Sequence, residues 1–161
     1  SKEACDEVFS FRCERLWRRD GVWKRMEKEM FPGYVFVESH QPGLLSRELD
    51  QYRSILRVME EDGYLISVYE DEEKSLRELC GDRHYLKMSY GYKENGVDHI
   101  TKGPLKEAGS RIIRIDWHRR FAQVEFTVAK KRAIVWAGVG LDESVLERAG
   151  ADSAKPLSAA V

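Results

Sequence analysis

The beginning of the chain alternates apolar and polar residues with a period of two. Phe9, Phe11 and Cys13 fall on one face of an extended segment, a pattern typical of a β-strand with one buried side. The basic stretch 15–28 follows, and it contains Asp20-Gly21, a residue pair favoured in two-residue hairpin turns. The pattern therefore predicts a β-hairpin in this part of the chain.

The next segment changes to helical spacing. Its apolar residues recur at i, i+4 and i+7 and predict an amphipathic helix over 43–54. Asp71 begins an acidic run that favours the start of a second helix, because carboxylates are stabilised at the positive end of the helix dipole, and Gly81 is a natural stop. Strands are predicted at 34–38 and 56–59. Alternating strands and helices indicate an α+β or α/β layer in this half of the chain.

The second half contains strand signals without helices between them. After a polar, tyrosine-containing segment predicted as a linker over 83–95, turn residues separate four short strand candidates. These candidates are 97–101, 111–116, 121–128 and 133–137. Short strands at this spacing predict a small β-barrel over 96–148. The Ala- and Ser-rich end, 149–161, is predicted to be a flexible tail.

Charge is distributed unevenly along the chain. Residues 1–98 carry 16 Lys and Arg against 21 Asp and Glu, whereas residues 99–136 carry 9 against 3, a local net charge of +6. A basic block in an otherwise acidic chain favours a local site for a polyanion. The three cysteines have unrelated spacings, which favours a reducing, cytoplasmic environment over a disulfide framework. The sequence has no apolar run of the roughly 20 residues that a membrane helix needs.

Cations concentrate in the turns of the predicted barrel. The candidate nucleic-acid-binding residues are Lys102, Lys106, Arg114, Trp117, His118, Arg119, Arg120, Lys130, Lys131 and Arg132. An aromatic ring among arginines suits nucleic acid, because a base can stack on the ring while guanidinium groups hold phosphate. If the strands form up-and-down hairpins, Lys102 and Lys106 are expected to cluster with 130–132, and 117–120 to lie at the other end or along an edge. Ordinary solvated turns remain the alternative interpretation.

The segment Phe31-Pro32-Gly33-Tyr34-Val35-Phe36-Val37 is the second candidate site. One interpretation is a core strand entered through a bend. The other is an exposed aromatic pocket formed by Phe31 and Tyr34, since aromatic anchors dominate the energy of protein–protein binding.

These two segments, in this order, resemble the NusG family of transcription elongation factors. Residues 31–37 resemble the signature of its N-terminal (NGN) domain, and Gly103-Pro104-Leu105 through Asp116 resembles its C-terminal KOW motif. The stretch 115–120 is most similar to the LoaP branch of antiterminators. Family members begin with a Trp-Tyr strand that this sequence does not contain, so we expect the NGN-like α/β sandwich without its first strand.

The resemblance implies two binding roles. Phe31, Tyr34, Leu56 and Val58 match the positions that contact the clamp helices of RNA polymerase. The KOW barrel of LoaP-like proteins binds an RNA hairpin, whereas in other members it recruits a termination factor or a ribosomal protein. Both possibilities stay open at this point.

The sequence predicts a binding protein and not an enzyme. Its four histidines share no metal-ligand spacing, and it contains no Gly-rich phosphate loop and no paired carboxylates set apart for acid–base chemistry. We therefore expect an NGN-like domain at 1–82 and a KOW barrel at 96–148. The expected protein is a cytoplasmic monomer without a cofactor, which promotes processive antitermination by binding RNA polymerase and nascent RNA.

Overall fold

The N-terminal half is built around a β-hairpin. In the computed structural model, which describes residues 1–61 and 64–145, the short strand β1 (Glu7–Phe9) precedes the hairpin strands β2 (Arg12–Arg19) and β3 (Val22–Glu29). Asp20 and Gly21 have φ values of 52° and 76°, as in the type I′ turn that matches the twist of a tight hairpin. The predicted hairpin is confirmed.

The strand β4 (Phe36–Glu38) pairs antiparallel with β1. The elements that follow are α1 (Pro42–Asp50), β5 (Glu60–Glu61), β6 (Tyr64–Leu65) and α2 (Glu70–Cys80). Both predicted helices are present, although α1 ends four residues earlier than predicted. The strand predicted at 56–59 is not formed, because ladder pairing begins only at Glu60, opposite Leu65.

The C-terminal half is a five-stranded sheet. The strands from this part of the chain are β7 (Tyr85–Leu86), β8 (Ser89–Glu94), β9 (Val97–Lys102), β10 (Ile112–Asp116), β11 (Phe121–Val128) and β12 (Lys131–Leu141). The order in the sheet is β10-β11-β12-β8-β9, and β8 runs parallel to β12 while the other neighbours are antiparallel. The four predicted strands are present, and the α+β class is confirmed.

The predicted linker over 83–95 is wrong in its conformation. β7 pairs with β2, and β8 pairs with both β12 and β9, so this segment supplies strands to two sheets. Its polar composition is misleading because Ser89 is buried and used as a hydrogen-bond acceptor, its Oγ lying 2.9 Å from the amide nitrogen of Leu105. The predicted tail at 149–161 lies outside the described residues.

One core contains side chains from both halves of the chain. Phe31 and Phe11 from the N-terminal half, and Phe126 and Val135 from the sheet, belong to the same buried cluster, which α2 completes through Leu76. The predicted units 1–82 and 96–148 therefore share a core in this structure. This shared packing fixes the hairpin relative to the five-stranded sheet.

Candidate nucleic-acid interface

The turn between β10 and β11 contains the sequence Trp117-His118-Arg119-Arg120. Trp117 is only 4% exposed, and its indole nitrogen donates a hydrogen bond to Asp98 Oδ1 at 2.8 Å. The prediction that Trp117 is a stacking platform for bases is therefore wrong. The reason lies in the tertiary structure. β9, at the opposite edge of the sheet from β10, reaches the turn through Asp98, and the Trp117 ring is buried there.

The cations of this turn have two different environments. His118 and Arg119 are exposed, and Asp116 fixes the turn by accepting a 2.8 Å bond from the Arg119 backbone N–H. Arg120 is half-buried; its Nη1 donates to the Trp117 carbonyl at 2.8 Å. Burial, and secondarily the nearby charge of Arg18, lowers the pKa of Arg120. Arg119 is therefore available to a ligand, whereas Arg120 is part of the support.

The β2–β3 hairpin lies directly beside this turn. The Arg18 and Arg120 guanidinium groups are 5.9 and 5.4 Å from the centre of the Trp23 ring, within the range of cation–π attraction. Trp17 is 39% exposed and has the Arg19 guanidinium 5.8 Å from its ring. The hairpin therefore adds aromatic rings to a turn whose own tryptophan is buried.

Hairpin and turn together enclose an open cleft of about 290 Å³, which we name the hairpin–turn cleft. Its lining residues are Leu16, Trp17, Arg18, Trp23, His118 and Arg119. The side chains of Arg18 and Arg119 form no ion pair within residues 1–61 and 64–145, unlike Arg19, which is 3.9 Å from Asp20. The cleft therefore combines stacking surface with two cations that have no carboxylate partner.

Close backbone packing brings the hairpin to this position. A Cβ at Gly138 of β12 would be 2.6 Å from the Glu14 carbonyl oxygen and 3.0 Å from the Arg15 Cα, so only glycine allows β2 to approach so closely. On the same strand, the Val139 amide donates to the Arg120 carbonyl at 3.2 Å. Gly138 thus positions the hairpin wall of the cleft, and Val139 positions the wall formed by the β10–β11 turn.

A second group of rings and cations lies where β2 meets the sheet. Phe121 stacks on Trp136 with ring centres 4.4 Å apart. Arg114 is 5.3 Å from the Phe121 ring centre, and Arg15 is 5.7 Å from that of Trp136. Trp136 is 43% exposed, so it presents an aromatic surface supported by Arg15. Burial lowers the pKa of Arg15.

The remaining predicted cations do not cluster as expected. Lys102 on β9 is paired with Tyr90 on β8, which in turn is paired with Gly140 near the end of β12. The Nζ of Lys102 lies 3.9 Å from the Asp142 carboxylate. Lys131 is the first residue of β12, which is eleven residues and therefore roughly 33 Å long. Lys102 thus lies near one end of β12, and the 130–132 turn lies at the other. The predicted grouping is wrong because β8 pairs only with the last residues of β12, and β9, which contains Lys102, pairs with β8. Lys106 is exposed in the 3-10 turn that follows β9.

The 130–132 turn instead contacts α2. Ala129 and Lys130 donate backbone hydrogen bonds to the Glu72 carboxylate at 2.9 and 3.1 Å, and the Lys130 ammonium lies 4.9 Å from the Tyr69 ring centre. Arg132 is paired with Glu125 at 2.8 Å. These cations are therefore engaged with the protein itself, far from the hairpin–turn cleft.

The four predicted polymerase-binding residues have unequal exposure. Phe31 is 9% exposed and packs edge-on against Phe11 and Phe126, so its prediction as an exposed anchor is wrong; the bend turns its ring into the shared core. Tyr34 is 51% and Leu56 48% exposed, and Val58 is half-buried. Additional exposed apolar residues occur at Val8 and Val37, which lie opposite each other in the β1–β4 pair, and at Val35 and Ile55.

The hairpin wall of the cleft has a recognisable pattern in the sequence. Trp17 and Trp23 alternate with arginines and lysines on both sides of the Asp20-Gly21 turn. Such interleaving is itself a pattern typical of nucleic-acid binding. What the sequence could not supply was the contact between this hairpin and a turn about one hundred residues later.

Within residues 1–61 and 64–145, no group of three or more His, Cys, Asp or Glu side chains could hold a metal ion. Among the helices of that part of the chain, none combines the length and the apolar character required to cross a membrane. No protein-family model matches the sequence.

Proposed function

We propose that this chain is a NusG-like transcription factor that promotes processive antitermination by binding structured RNA and RNA polymerase. The observation that carries the RNA half of the proposal is the hairpin–turn cleft, where Trp17 and Trp23 adjoin Arg18 and Arg119, two cations without an ion pair among the described residues. Stacking rings and free guanidinium groups are the two requirements for holding unpaired bases and phosphates together.

The polymerase half rests on the resemblance of residues 31–37 to the family signature and on exposed apolar side chains. Tyr34 and Leu56 remain the proposed contacts. Val58, two residues after Leu56, is half-buried and would contribute less, and Phe31 is excluded because it is buried. Exposed aromatic and aliphatic side chains are suited to bind the helical surface of a large partner. Because both halves share one core, the RNA site is carried on the polymerase-binding unit without a flexible connection.

RNA binding is tested by fluorescence anisotropy with a labelled leader-type RNA hairpin over a range of salt concentrations. Arg18→Ala combined with Arg119→Ala should weaken binding and reduce the slope of log K against log salt by about 1.5, since each lost phosphate contact removes about 0.7–0.9. Lys74→Ala combined with Arg83→Ala changes the net charge equally at two exposed sites elsewhere and should leave the slope nearly unchanged. Equal losses in both double variants would refute a localised RNA site.

A protein partner for the sheet is the alternative function. Ile134 and Trp136 are 45% and 43% exposed and lie two residues apart on β12, so they share one face of the strand. An exposed apolar pair of this kind suits a termination factor or a ribosomal protein. Absence of any anisotropy change at low salt, together with capture of such a protein that is lost on Trp136→Ala, would favour this alternative.

Polymerase binding is tested separately, by co-sedimentation with core RNA polymerase. Tyr34→Ala combined with Leu56→Ala should reduce co-sedimentation, because both side chains are exposed and neither belongs to the core. The variant should keep the RNA affinity of the unsubstituted chain. Unchanged co-sedimentation would show that this surface is not the polymerase contact.

A further inference from the structure

We propose that the hairpin–turn cleft binds a single unpaired nucleobase, so that the protein selects RNA hairpins with a bulged or looped-out nucleotide over fully paired stems. This inference rests on the proposed RNA-binding function and deepens it. It starts from the size of the cleft, about 290 Å³, which lies at the small end of the range for ligand pockets. A volume of this size accommodates one planar ring system, whereas the side of a double helix would need an extended surface.

The rings of the cleft are not equivalent. Trp23 is half-buried and already has two guanidinium groups near its ring, those of Arg18 and Arg120. Trp17 is more exposed and has only Arg19 nearby, at 5.8 Å. Trp17 is therefore the ring on which an incoming base stacks, and Trp23 holds the arginines that form the rest of the wall.

The strand geometry supports this division of roles. Arg18 and Trp23 are directly opposite in the hairpin register and share a face, whereas Trp17 is paired with Lys24 and lies on the other face. The cleft thus extends around the edge of β2, with a stacking surface on one side and a cation on the other. Across the opening, Arg119 faces this edge without an ion-pair partner among the described residues, and His118 adds a ring with hydrogen-bonding nitrogens.

These positions suit a nucleotide whose base has left the stack. The base would contact Trp17, while the flanking phosphates would contact Arg18 and Arg119. A stacked base in a duplex has both faces covered, so it cannot use Trp17 without being extruded, and extrusion costs least where the base is already unpaired. RNA proteins of several folds read unpaired bases by this combination of ring and guanidinium contacts.

The test uses two RNA hairpins of identical stem sequence. One carries a single bulged 2-aminopurine and the other is fully paired; both are titrated with the full chain. We expect a preference of roughly fivefold or more for the bulged hairpin, since stacking one base on an aromatic side chain typically changes affinity by about five- to 150-fold. We also expect quenching of 2-aminopurine fluorescence on binding, the sign of a base stacked against a ring.

Trp17→Leu should abolish both the preference and the quenching, leaving the affinity for the paired hairpin nearly unchanged. Trp17→Phe should retain part of both signals, and Tyr52→Leu, at an exposed aromatic residue outside the cleft, should retain them fully. Circular dichroism melting of each variant separates loss of folding from loss of stacking.

The failures of the two proposals are distinguishable. Equal affinity for the two hairpins, with binding still sensitive to Arg119→Ala, would overturn the nucleobase site and leave RNA binding intact. A preference that survives Trp17→Leu would also overturn it. Failure to bind either hairpin at low salt would overturn the proposed RNA-binding function together with this inference.

Discussion

Replacing Glu72 by alanine should weaken the contact between α2 and the β11–β12 turn and so destabilise the fold. The Glu72 side chain is buried at the N-terminus of α2, where its carboxylate accepts three backbone hydrogen bonds. The donors are the N–H groups of Tyr69 at 3.0 Å, Ala129 at 2.9 Å and Lys130 at 3.1 Å. One of these bonds caps the helix, and the other two hold the β11–β12 turn against it.

The expected loss of stability follows from these three bonds. A hydrogen bond to a charged group contributes about 1.5–3 kcal/mol when its partner would otherwise be left unsatisfied. Water can reach the exposed turn, so the two bonds from Ala129 and Lys130 count at the lower end of this range. We expect Glu72→Ala to reduce the free energy of unfolding by about 3–5 kcal/mol, a large fraction of the stability of an ordinary domain.

Glu72→Gln is the graded variant. Its amide oxygen can still accept from Tyr69 and Ala129, which share Oε1, but its NH₂ group would face the Lys130 N–H, donor against donor. The loss should therefore be about 1–2 kcal/mol. Glu73→Ala is the matched control, because Glu73 forms only an exposed pair with Arg77 at 2.9 Å, and it should cost less than about 0.5 kcal/mol.

Urea denaturation, followed by both tryptophan fluorescence and far-ultraviolet circular dichroism, measures these differences. Since the two halves share one core, the two signals should give coincident transitions. A loss below about 1 kcal/mol for Glu72→Ala would refute the assigned role of the carboxylate. Two separate transitions in the unsubstituted chain would refute the single cooperative unit.

Three further predictions concern stability and reactivity. Ala129 has a φ of 50° in the turn that Glu72 holds, a backbone conformation that asparagine tolerates better than alanine. Ala129→Asn should therefore raise the free energy of unfolding by about 0.5–1 kcal/mol in the same urea assay, and a decrease would contradict the turn geometry. Hydrogen bonds from Ser144 and Thr101 lower the pKa of Asp142 to about 2. Because folding lowers this pKa, the ionised Asp142 stabilises the folded state above about pH 4, and this stabilisation is lost as the pH falls towards 2. Asp142→Asn should therefore flatten that part of the stability–pH profile, and an unchanged profile would contradict the assigned role of Asp142. Burial raises the pKa of Cys13 to about 11 and of Cys80 to about 12, so a thiol reagent at pH 8 should label neither until urea unfolds the chain, and rapid labelling of the native protein would contradict their burial.

Local patterns in the sequence were sufficient for most of the secondary structure. The Asp20-Gly21 turn, the acidic start and glycine stop of α2, and the strand over 121–128 are each encoded by neighbouring residues, and each is confirmed. The same local logic failed at 83–95, because Ser89 and Gly91 are small and polar in composition yet buried between strands. Hydrophobic periodicity cannot reveal the burial of a small residue that is buried only because two strands pack closely there.

The candidate site depended on contacts that no local pattern contains. The basic and aromatic residue types of both walls were visible in the sequence, and so was the overall excess of cations in 99–136. Which tryptophan is accessible was not visible: Trp117 is covered through its bond to Asp98, whereas Trp17 remains exposed. The difference arises from the curvature of the sheet, which brings β9 to the turn.

The sequence alone determined most of the elements, the α+β class and the chemical character of the candidate surface, because these follow from the order of residue types over short stretches of chain. Tertiary structure alone decided that the hairpin meets the turn, that Phe31 points into the core, and that the 130–132 turn binds Glu72. Those outcomes depend on strand register and on the close approach at Gly138, which join residues from about 50 to more than 120 positions apart.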